Sequence, residues 1–170
     1  MHTSSIIVTI TDDTALLRSL AERSFLPTYK PFISEEQVLY MFERMYASES
    51  LERQIRELGH RFFIAYKENE PAGFASLECN CGIAGAAKLQ KLYVLPEFQG
   101  AAIGFSLMNA VEAFAAKQEQ NEVFLNVNRY NNAVSFYERQ GYRIYMEEDI
   151  DIGNGYFMND YRMRKSLAAK

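Results

Sequence analysis

The pattern of hydrophobic and polar positions predicts a chain that alternates between short strands and amphipathic helices. The β-branched run at residues 6–10 predicts a strand, and the apolar positions that follow at helical spacing predict a helix ending near Pro27 or Pro31. Ser34 and Gln37 have the spacing of a capping box. A second helix is therefore expected to begin at about Ser34, with a break in its apolar pattern near residue 48.

The rest of the chain predicts antiparallel hairpins first, then strand–helix–strand connections, and a final hairpin. Strands are expected at residues 61–66, 73–77, 88–95, 123–127, 142–151 and 156–163, and helices at residues 102–117 and just after Asn131 or Asn132. The order is β-α-α-β-β-β-α-β-α-β-β. It predicts a three-layer α/β/α fold with a mixed, mostly antiparallel sheet of six to seven strands, in a single domain spanning residues 1–170.

Composition and charge narrow the classes of partner. The chain has 170 residues, of which 48% are apolar and 24% charged, with a net charge of −4 and a pI of about 5.3. An acidic chain is poorly suited to duplex nucleic acid, because that affinity rests on lysine and arginine. No apolar stretch approaches the ~20 residues of a membrane span, and a signal-peptide pattern is absent. We therefore expect a cytoplasmic protein that binds neither nucleic acid nor membrane.

The cysteines and histidines predict no metal site. Strand alternation would place Cys79 and Cys81 on one face of a strand, and reduced structural thiols are their expected state. His2 and His60 lie at no metal-ligand spacing from them.

Residues 94–104 join an apolar strand to an amphipathic helix through a turn of small residues. A helix start leaves backbone N–H groups without intrahelical partners and carries a partial positive charge, and small residues let an anion approach them closely. The segment therefore predicts a cradle for the pyrophosphate of a cofactor. The alternative is a tight strand-to-helix connection in which small residues serve packing alone.

A second candidate segment, residues 131–142, predicts a short helix that carries Phe136 and Tyr137 side by side. A tyrosine hydroxyl can donate a proton to a departing thiolate. The alternative is that both rings are core aromatics.

Together the two segments resemble the motifs of the GCN5-related N-acetyltransferases. The acetyl-CoA motif of that family has the form Gln/Arg-x-x-Gly-x-Gly/Ala after a strand, and this chain has Gln99-Gly100-Ala101-Ala102-Ile103-Gly104 after Leu92-Tyr93-Val94. The family's next motif, Asn…Ala-Ile-x-Phe-Tyr-x-x-x-Gly-Phe, is similar to the run from Asn131 to Tyr142. The resemblance implies the family's α/β fold, acetyl-CoA as the cofactor and direct acetyl transfer to an amine.

The resemblance also implies a role for each matching residue. Backbone N–H groups of residues 99–104 would hold the pyrophosphate, the main chain of residues 92–94 would pair with the pantetheine arm, and Asn131 would hydrogen-bond the cofactor. The implied cofactor-binding residues are Leu92, Tyr93, Val94, Gln99, Gly100, Ala101, Ala102, Ile103, Gly104, Asn131 and Phe136. Tyr137 would be the catalytic residue that protonates the departing thiolate. Ala102 stands where the family usually has glycine, and its methyl group would crowd the pyrophosphate only at a positive φ.

The acceptor is expected to be a primary amine of a small molecule. Three features are similar to the bacterial spermidine/spermine N-acetyltransferases of the PaiA type: an early helix ending in residues 25–29, the Leu92-Tyr93-Val94 strand, and a closing strand that contains residues 158–161. This resemblance implies a polyamine as one candidate. A protein or peptide amine is one alternative, and a non-catalytic acyl-CoA-binding module is another. The 12 phenylalanines and 11 tyrosines are compatible with a homodimer, although they serve a core equally well.

The general base is not apparent from the sequence. Related enzymes often carry a glutamate where this chain has Gln90, which cannot act as a base. Glu78, or Tyr93 acting through water, is a weaker candidate, and both also fit as plain sheet residues.

Two further patterns could belong to the acceptor side. Alternation places Glu147, Asp149 and Asp151 on one face of a strand, either to attract a polycation or as a solvated strand face. A helical stripe is expected to be core but could also line the acceptor site; it consists of Val38, Met41, Phe42 and Met45.

Overall fold

The computed structural model describes residues 5–31 and 33–167. In chain order its elements are β1 (Ile6–Thr11), α1 (Thr14–Tyr29), α2 (Glu35–Tyr46), α3 (Ser48–Arg56), β2 (Arg61–Lys67), β3 (Glu70–Glu78), β4 (Ala86–Val94), a short 3₁₀ helix (Pro96–Phe98), α4 (Ile103–Lys117), β5 (Glu122–Asn128), α5 (Ala133–Arg139), β6 (Arg143–Gly153) and β7 (Tyr156–Ser166). Strands and helices occur where the hydrophobic pattern predicted them, with shifts of a few residues at their ends.

The strands form one seven-stranded sheet in the order β1-β2-β3-β4-β5-β7-β6. Every neighbouring pair is antiparallel except β4 and β5, which run parallel because α4 carries the chain across the sheet between them. The predicted mixed, mostly antiparallel sheet is therefore confirmed. β7 lies between β5 and β6, so β6 forms one edge of the sheet and β1 the other.

Apolar side chains alternate between the two faces of the sheet. On β2, Phe63 and Ala65 face the core under α4 and α5, while Phe62 and Ile64 face the core under α1, α2 and α3. Helices thus cover both faces, and the three-layer α/β/α prediction is confirmed.

The segment between β1 and β2 holds three helices, where the predicted element order had two. Ser34 caps α2 as expected, with its Oγ accepting a hydrogen bond from the Gln37 amide at 3.2 Å. Ala47 then adopts an extended conformation, with φ −59° and ψ 146°, which ends α2 and precedes α3. The break near residue 48 therefore separates two helices. Within the described ranges, no helix has the length and apolar content needed to cross a bilayer.

The prediction that both cysteines lie on a strand was wrong. β3 ends at Glu78, and Cys79 and Cys81 lie in the turn that follows, where Asn80 has a φ of 54°. Both cysteines are partly buried, and neither forms a disulfide among the described residues.

Candidate active site

The parallel strands β4 and β5 separate part way along their length. Residues 86–89 pair with residues 122–125, but β4 continues to Val94 and β5 to Asn128 without pairing to each other. On its other side β4 stays paired with β3 as far as Val94. The main chain at residues 90–94 is therefore open towards β5, which is the arrangement that an added strand-like ligand requires.

A β-bulge lies where the two strands begin to separate. Ser76 of β3 pairs with Lys91 and Leu77 pairs with Leu89, so Gln90 is the extra residue on β4. The Gln90 amide group donates to Glu78 Oε2 at 2.8 Å. Because a bulge bends its strand, its position accounts for the divergence of β4 from β5 at this point.

The separation opens a cleft of about 940 Å³. Its walls come from the end of α1, from β4 and β5, from the loop before α4, and from α5. The predicted site residues that line it are Leu92, Tyr93, Val94, Gln99, Gly100, Ala102, Ile103, Gly104, Asn131, Phe136 and Tyr137. Ala101, also predicted to bind the cofactor, packs instead against the apolar core.

The loop before α4 presents backbone N–H groups to this cleft. The Gln99 and Ala101 amides are used locally, donating to the Pro96 and Phe98 carbonyls at 3.3 and 3.2 Å. The amides of residues 100 and 102–104 have no hydrogen-bond partner in the described part of the chain. Four open donors at the start of a 15-residue helix are suited to bind an anion, and they are fewer than the six that the sequence predicted.

Backbone conformation makes the loop concave. Gly100 has a φ of 83°, and Ala102 lies in the left-handed region at φ 65° and ψ 17°. A non-glycine residue in this region is strained by about 1–2 kcal/mol. Ala102 therefore has the positive φ at which the sequence argument expected its methyl group to crowd the pyrophosphate.

We expect Ala102→Gly to raise the free energy of unfolding by about 1 kcal/mol, because glycine adopts this φ without strain. Chemical denaturation measures the change. Ala101→Gly is the matched control, because Ala101 lies outside the left-handed region, and it should not stabilise the protein. Equal effects of the two substitutions would contradict the assignment of strain to Ala102.

The first turn of α4 contacts α5 at Gly104 and Phe136. A Cβ added to Gly104 would lie 3.3 Å from the Phe136 ring, so glycine permits this approach. The Phe136 and Tyr137 ring centroids are 5.4 Å apart. Phe136 therefore serves as the contact between the two helices while it lines the cleft.

Asn131 holds the start of α5. Its Oδ1 accepts a hydrogen bond from the Ala133 amide at 2.9 Å, whereas Asn132 makes no side-chain cap. The remaining donor of Asn131 is Nδ2, and this is the group with which it could bind a cofactor in the cleft.

The Tyr137 phenol is suited to donate a proton. The residue is 6% exposed, its ring borders the cleft, and within residues 5–31 and 33–167 its hydroxyl has no hydrogen-bond partner. Burial, with a smaller contribution from Tyr29, raises its pKa above the ordinary value of 10.0. The phenol therefore stays protonated at neutral pH.

A second, smaller cavity of about 200 Å³ adjoins the cleft. The two share wall residues, which are Tyr29, Leu89, Gln90, Tyr93 and Asn126. Of the helical stripe considered above, Met41 and Met45 line this cavity, while Val38 and Phe42 belong to the buried core. The stripe is therefore partly core and partly cavity wall.

Two tyrosines stand at the junction of the cavities. The Tyr29 and Tyr93 hydroxyls are 3.1 Å apart and share a hydrogen bond. Burial raises the pKa of both, that of Tyr29 to about 12, so neither is a base at neutral pH. Tyr93 is thus a wall residue of the site with a neutral phenol.

Neither Glu78 nor the acidic face of β6 reaches either cavity. Glu78 accepts from Gln90 and lies 3.4 Å from His60 Nε2. Glu147 pairs with Arg129 at 3.0 Å, and Asp149 binds the same guanidinium, with both carboxylates largely exposed. These observations favour the solvated-face interpretation of β6.

The acid that does line a cavity was missed by the sequence interpretation. Asp160 on β7 is 5% exposed and borders the second cavity with Asn126. In the sequence, Asp160 stood out only as part of residues 158–161, which contribute to the resemblance to polyamine acetyltransferases. Asp160 is buried because β7 pairs with both β5 and β6, and this pairing could not be predicted from the sequence.

The fold and the cleft define an α/β protein with a site for an extended, phosphate-bearing ligand. Residues 29–165 match the acetyltransferase (GNAT) domain family. A curated spermidine N(1)-acetyltransferase from Thermoplasma acidophilum is 30% identical over 152 residues, covering 86% of this chain and 90% of that protein. The chain therefore belongs to the GNAT family and is an N-acetyltransferase.

Solved structures agree with this assignment. The PaiA N-acetyltransferase of Thermoplasma acidophilum, crystallised in complex with coenzyme A, superposes with a TM-score of 0.78 at 28% identity, covering 95% of this chain and 99% of its own. A GCN5-related N-acetyltransferase from Rhodopseudomonas palustris superposes with a TM-score of 0.79 at 24% identity, covering 98% of each chain. The second likeness concerns the fold alone.

Proposed function

We propose that this protein transfers an acetyl group from acetyl-CoA to the primary amine of a small molecule, with a polyamine as one candidate. The observation that carries the proposal is that one cleft contains both the open amides before α4 and the unpartnered Tyr137 phenol. A phosphate-binding loop and a proton donor in the same cleft are what thioester cleavage requires.

The residues fit coenzyme A in two places. The amides of residues 100 and 102–104 supply donors and a helix N-terminus for a pyrophosphate. The unpaired edge of β4 at residues 90–94 matches the amide groups of an extended pantetheine arm. When bound, acetyl-CoA supplies the activated acetyl group.

The chain's own groups then account for the proton at the leaving group. The Tyr137 hydroxyl would donate its proton to the sulfur as the carbon–sulfur bond breaks, which avoids release of a bare thiolate in a buried cleft. Tyr93 and Tyr29, neutral and hydrogen-bonded to each other, would form the wall on the acceptor side.

The acceptor side supports a small substrate. The second cavity has a volume of about 200 Å³, and its walls include the apolar side chains of Phe25, Met41, Met45, Ile152 and Met158. An alkyl amine of a few carbons suits such a space. The similarity to the spermidine N(1)-acetyltransferase supports a polyamine among these amines.

The test is thiol release from acetyl-CoA with a panel of amines. We expect release with short alkyl amines or spermidine, and slower release with peptides that present a free N-terminus or lysine. Release with peptides alone would replace the small-molecule proposal by a protein acceptor. Tight acetyl-CoA binding in calorimetry without turnover on any amine would indicate a binding module.

A further inference from the structure

Two buried oxygen atoms in the second cavity lack hydrogen-bond partners. They are Oδ1 of Asp160 and Oδ1 of Asn126, both unpaired within the described residues. The Asn126 amide orientation follows from its contact with Glu148, because Nδ2 donates to the Glu148 Oε2 acceptor at 3.0 Å. Its Oδ1 is therefore the atom left without a donor.

Both orphaned atoms are acceptors, so the group that would satisfy them is a donor. An unpaired buried acceptor costs about 1–3 kcal/mol, and more when it is charged. A primary ammonium group brings three N–H donors and a positive charge. A primary ammonium, which the proposed acceptor carries, could therefore donate to both oxygen atoms.

The wall of the second cavity carries positive as well as negative side chains, which disfavours the binding of several ammonium groups there. Lys88 and Arg44 also line it, and Arg44 donates to the Ile152 carbonyl near its mouth. Among the described residues, the second cavity holds one carboxylate, that of Asp160, and its apolar wall residues include Phe25, Met41, Met45, Ile152 and Met158. It therefore suits a single ammonium on an alkyl chain that packs against these side chains.

Asp160 and Tyr137 both interact electrostatically with Tyr29. After burial, which is the main cause, the Asp160 charge contributes to the raised pKa of Tyr29, and Tyr29 contributes likewise to that of Tyr137. Tyr29 borders both cavities. Asp160 lines the second cavity and Tyr137 lines the cleft, so an amine bound at Asp160 would lie in a cavity that adjoins the one proposed for the thioester.

We propose that Asp160 is the catalytic base of this enzyme, binding the acceptor ammonium together with Asn126 Oδ1 and removing its proton. The inference rests on the proposed function and names the residue and the amine class that serve it. Only the neutral amine has the lone pair that attacks a carbonyl carbon.

The protons balance over one turnover. The ammonium gives one proton to Asp160, and the amine nitrogen forms a bond to the acetyl carbon as the carbon–sulfur bond breaks. Tyr137 protonates the sulfur and recovers a proton from the nitrogen, which becomes a neutral amide. Asp160 then releases its proton to solvent, so the net products are the acetylated amine, coenzyme A and one proton.

The electrostatics of Asp160 suit a base at neutral pH. Burial raises the pKa of Asp160 to about 6, and the neighbouring Asn126 amide partly offsets that rise. The charged or titratable groups that face it are Glu148 on β6, Lys88 on β4, Arg129 after β5, and Tyr29 on α1. Arg44 on α2 lines the same cavity. Above about pH 6 the carboxylate is ionised and can accept a proton.

The test is Asp160→Asn, which keeps the shape and removes the base. We expect kcat/KM for the preferred amine to fall by about 10²-fold or more, with an unchanged Kd for acetyl-CoA. The acid limb of the wild-type pH profile, with an apparent pKa of about 6, should disappear in the variant. Asp149→Asn, an exposed carboxylate on β6, is the matched control and should retain wild-type kinetics.

The outcomes separate this inference from the proposed function. A wild type without activity on any amine overturns the proposed function. An active wild type whose Asp160→Asn variant keeps its rate and its pH profile overturns the assignment of Asp160 alone. Where that variant does not fold, the wild-type profile decides, because the absence of an acid limb near pH 6 equally overturns the assignment.

Discussion

Tyr137→Phe is expected to lower kcat by about 10²-fold or more, because the substitution removes one hydroxyl that general acid catalysis would use. The effect should fall on kcat with the Kd for acetyl-CoA unchanged. The ring that packs beside Phe136 remains, so the position of α5 over the loop is preserved.

Burial is what makes this hydroxyl suitable. It raises the pKa of Tyr137, so the phenol stays protonated across the useful pH range. The same burial would penalise a thiolate in the cleft and raise its affinity for a proton. Proton donation by Tyr137 would therefore avoid the formation of a buried thiolate.

Single-turnover and steady-state kinetics measure the effect, and calorimetry measures the Kd for acetyl-CoA. Tyr66→Phe is the matched control, because Tyr66 on β2 borders neither cavity and should keep wild-type kcat. An unchanged kcat for Tyr137→Phe, with the thiol released at the wild-type rate, would reject Tyr137 as the general acid.

The elements of the fold were predictable because each depends on local periodicity. On β2, alternate residues such as Phe62 and Phe63 face opposite cores, and that alternation is visible in the sequence. The division of the helical segment at Ala47 was less visible, because no glycine or proline marks it. A break in the apolar pattern indicated its place but not that two separate helices result.

The cofactor half of the site could also be predicted, since it lies within one continuous strand–loop–helix segment. The sequence did not indicate which amides remain open, because the local bonds of Gln99 and Ala101 depend on the 3₁₀ helix before them. The positive φ of Ala102 likewise follows from the path of the loop and not from its own side chain.

Asp160 could not be predicted, because its surroundings depend on how β7 pairs with β5 and β6. Sheet pairing places it opposite Asn128 on β5 and Glu148 on β6. That pairing depends on β7 inserting between β5 and β6, whereas the sequence order suggests only that β6 and β7 form a hairpin. An aspartate in an alternating strand gives no sign of whether it faces solvent or a cavity.

Lys91 is expected to make the stability of the protein depend on pH. It is 6% exposed on β4, its ammonium donates to Gln54 Oε1 at 2.7 Å, and the Phe62 ring lies 5.4 Å away. No carboxylate forms an ion pair with it within the described residues. Burial, with a further contribution from Lys88, lowers its pKa from 10.5 to about 7.

The sign follows from the protons bound in each state. Between pH 7 and 10.5 the unfolded chain holds the Lys91 proton and the folded chain has largely lost it, so stability rises with pH across this window. The free energy of unfolding should increase by about 2 kcal/mol between about pH 7 and pH 9 from this residue. Below pH 7 the contribution of Lys91 levels off.

Denaturant unfolding at several pH values measures this contribution against two variants. Lys91→Met should abolish the rise between pH 7 and 9, because no group with a lowered pKa remains at that position. Lys67→Met on β2, where the side chain is only partly buried, should leave the rise in place. A wild type whose stability is flat over this window would show that the folded chain keeps the Lys91 proton, in which case the contacts with Gln54 and the aromatic rings stabilise the buried charge more strongly than its burial disfavours it.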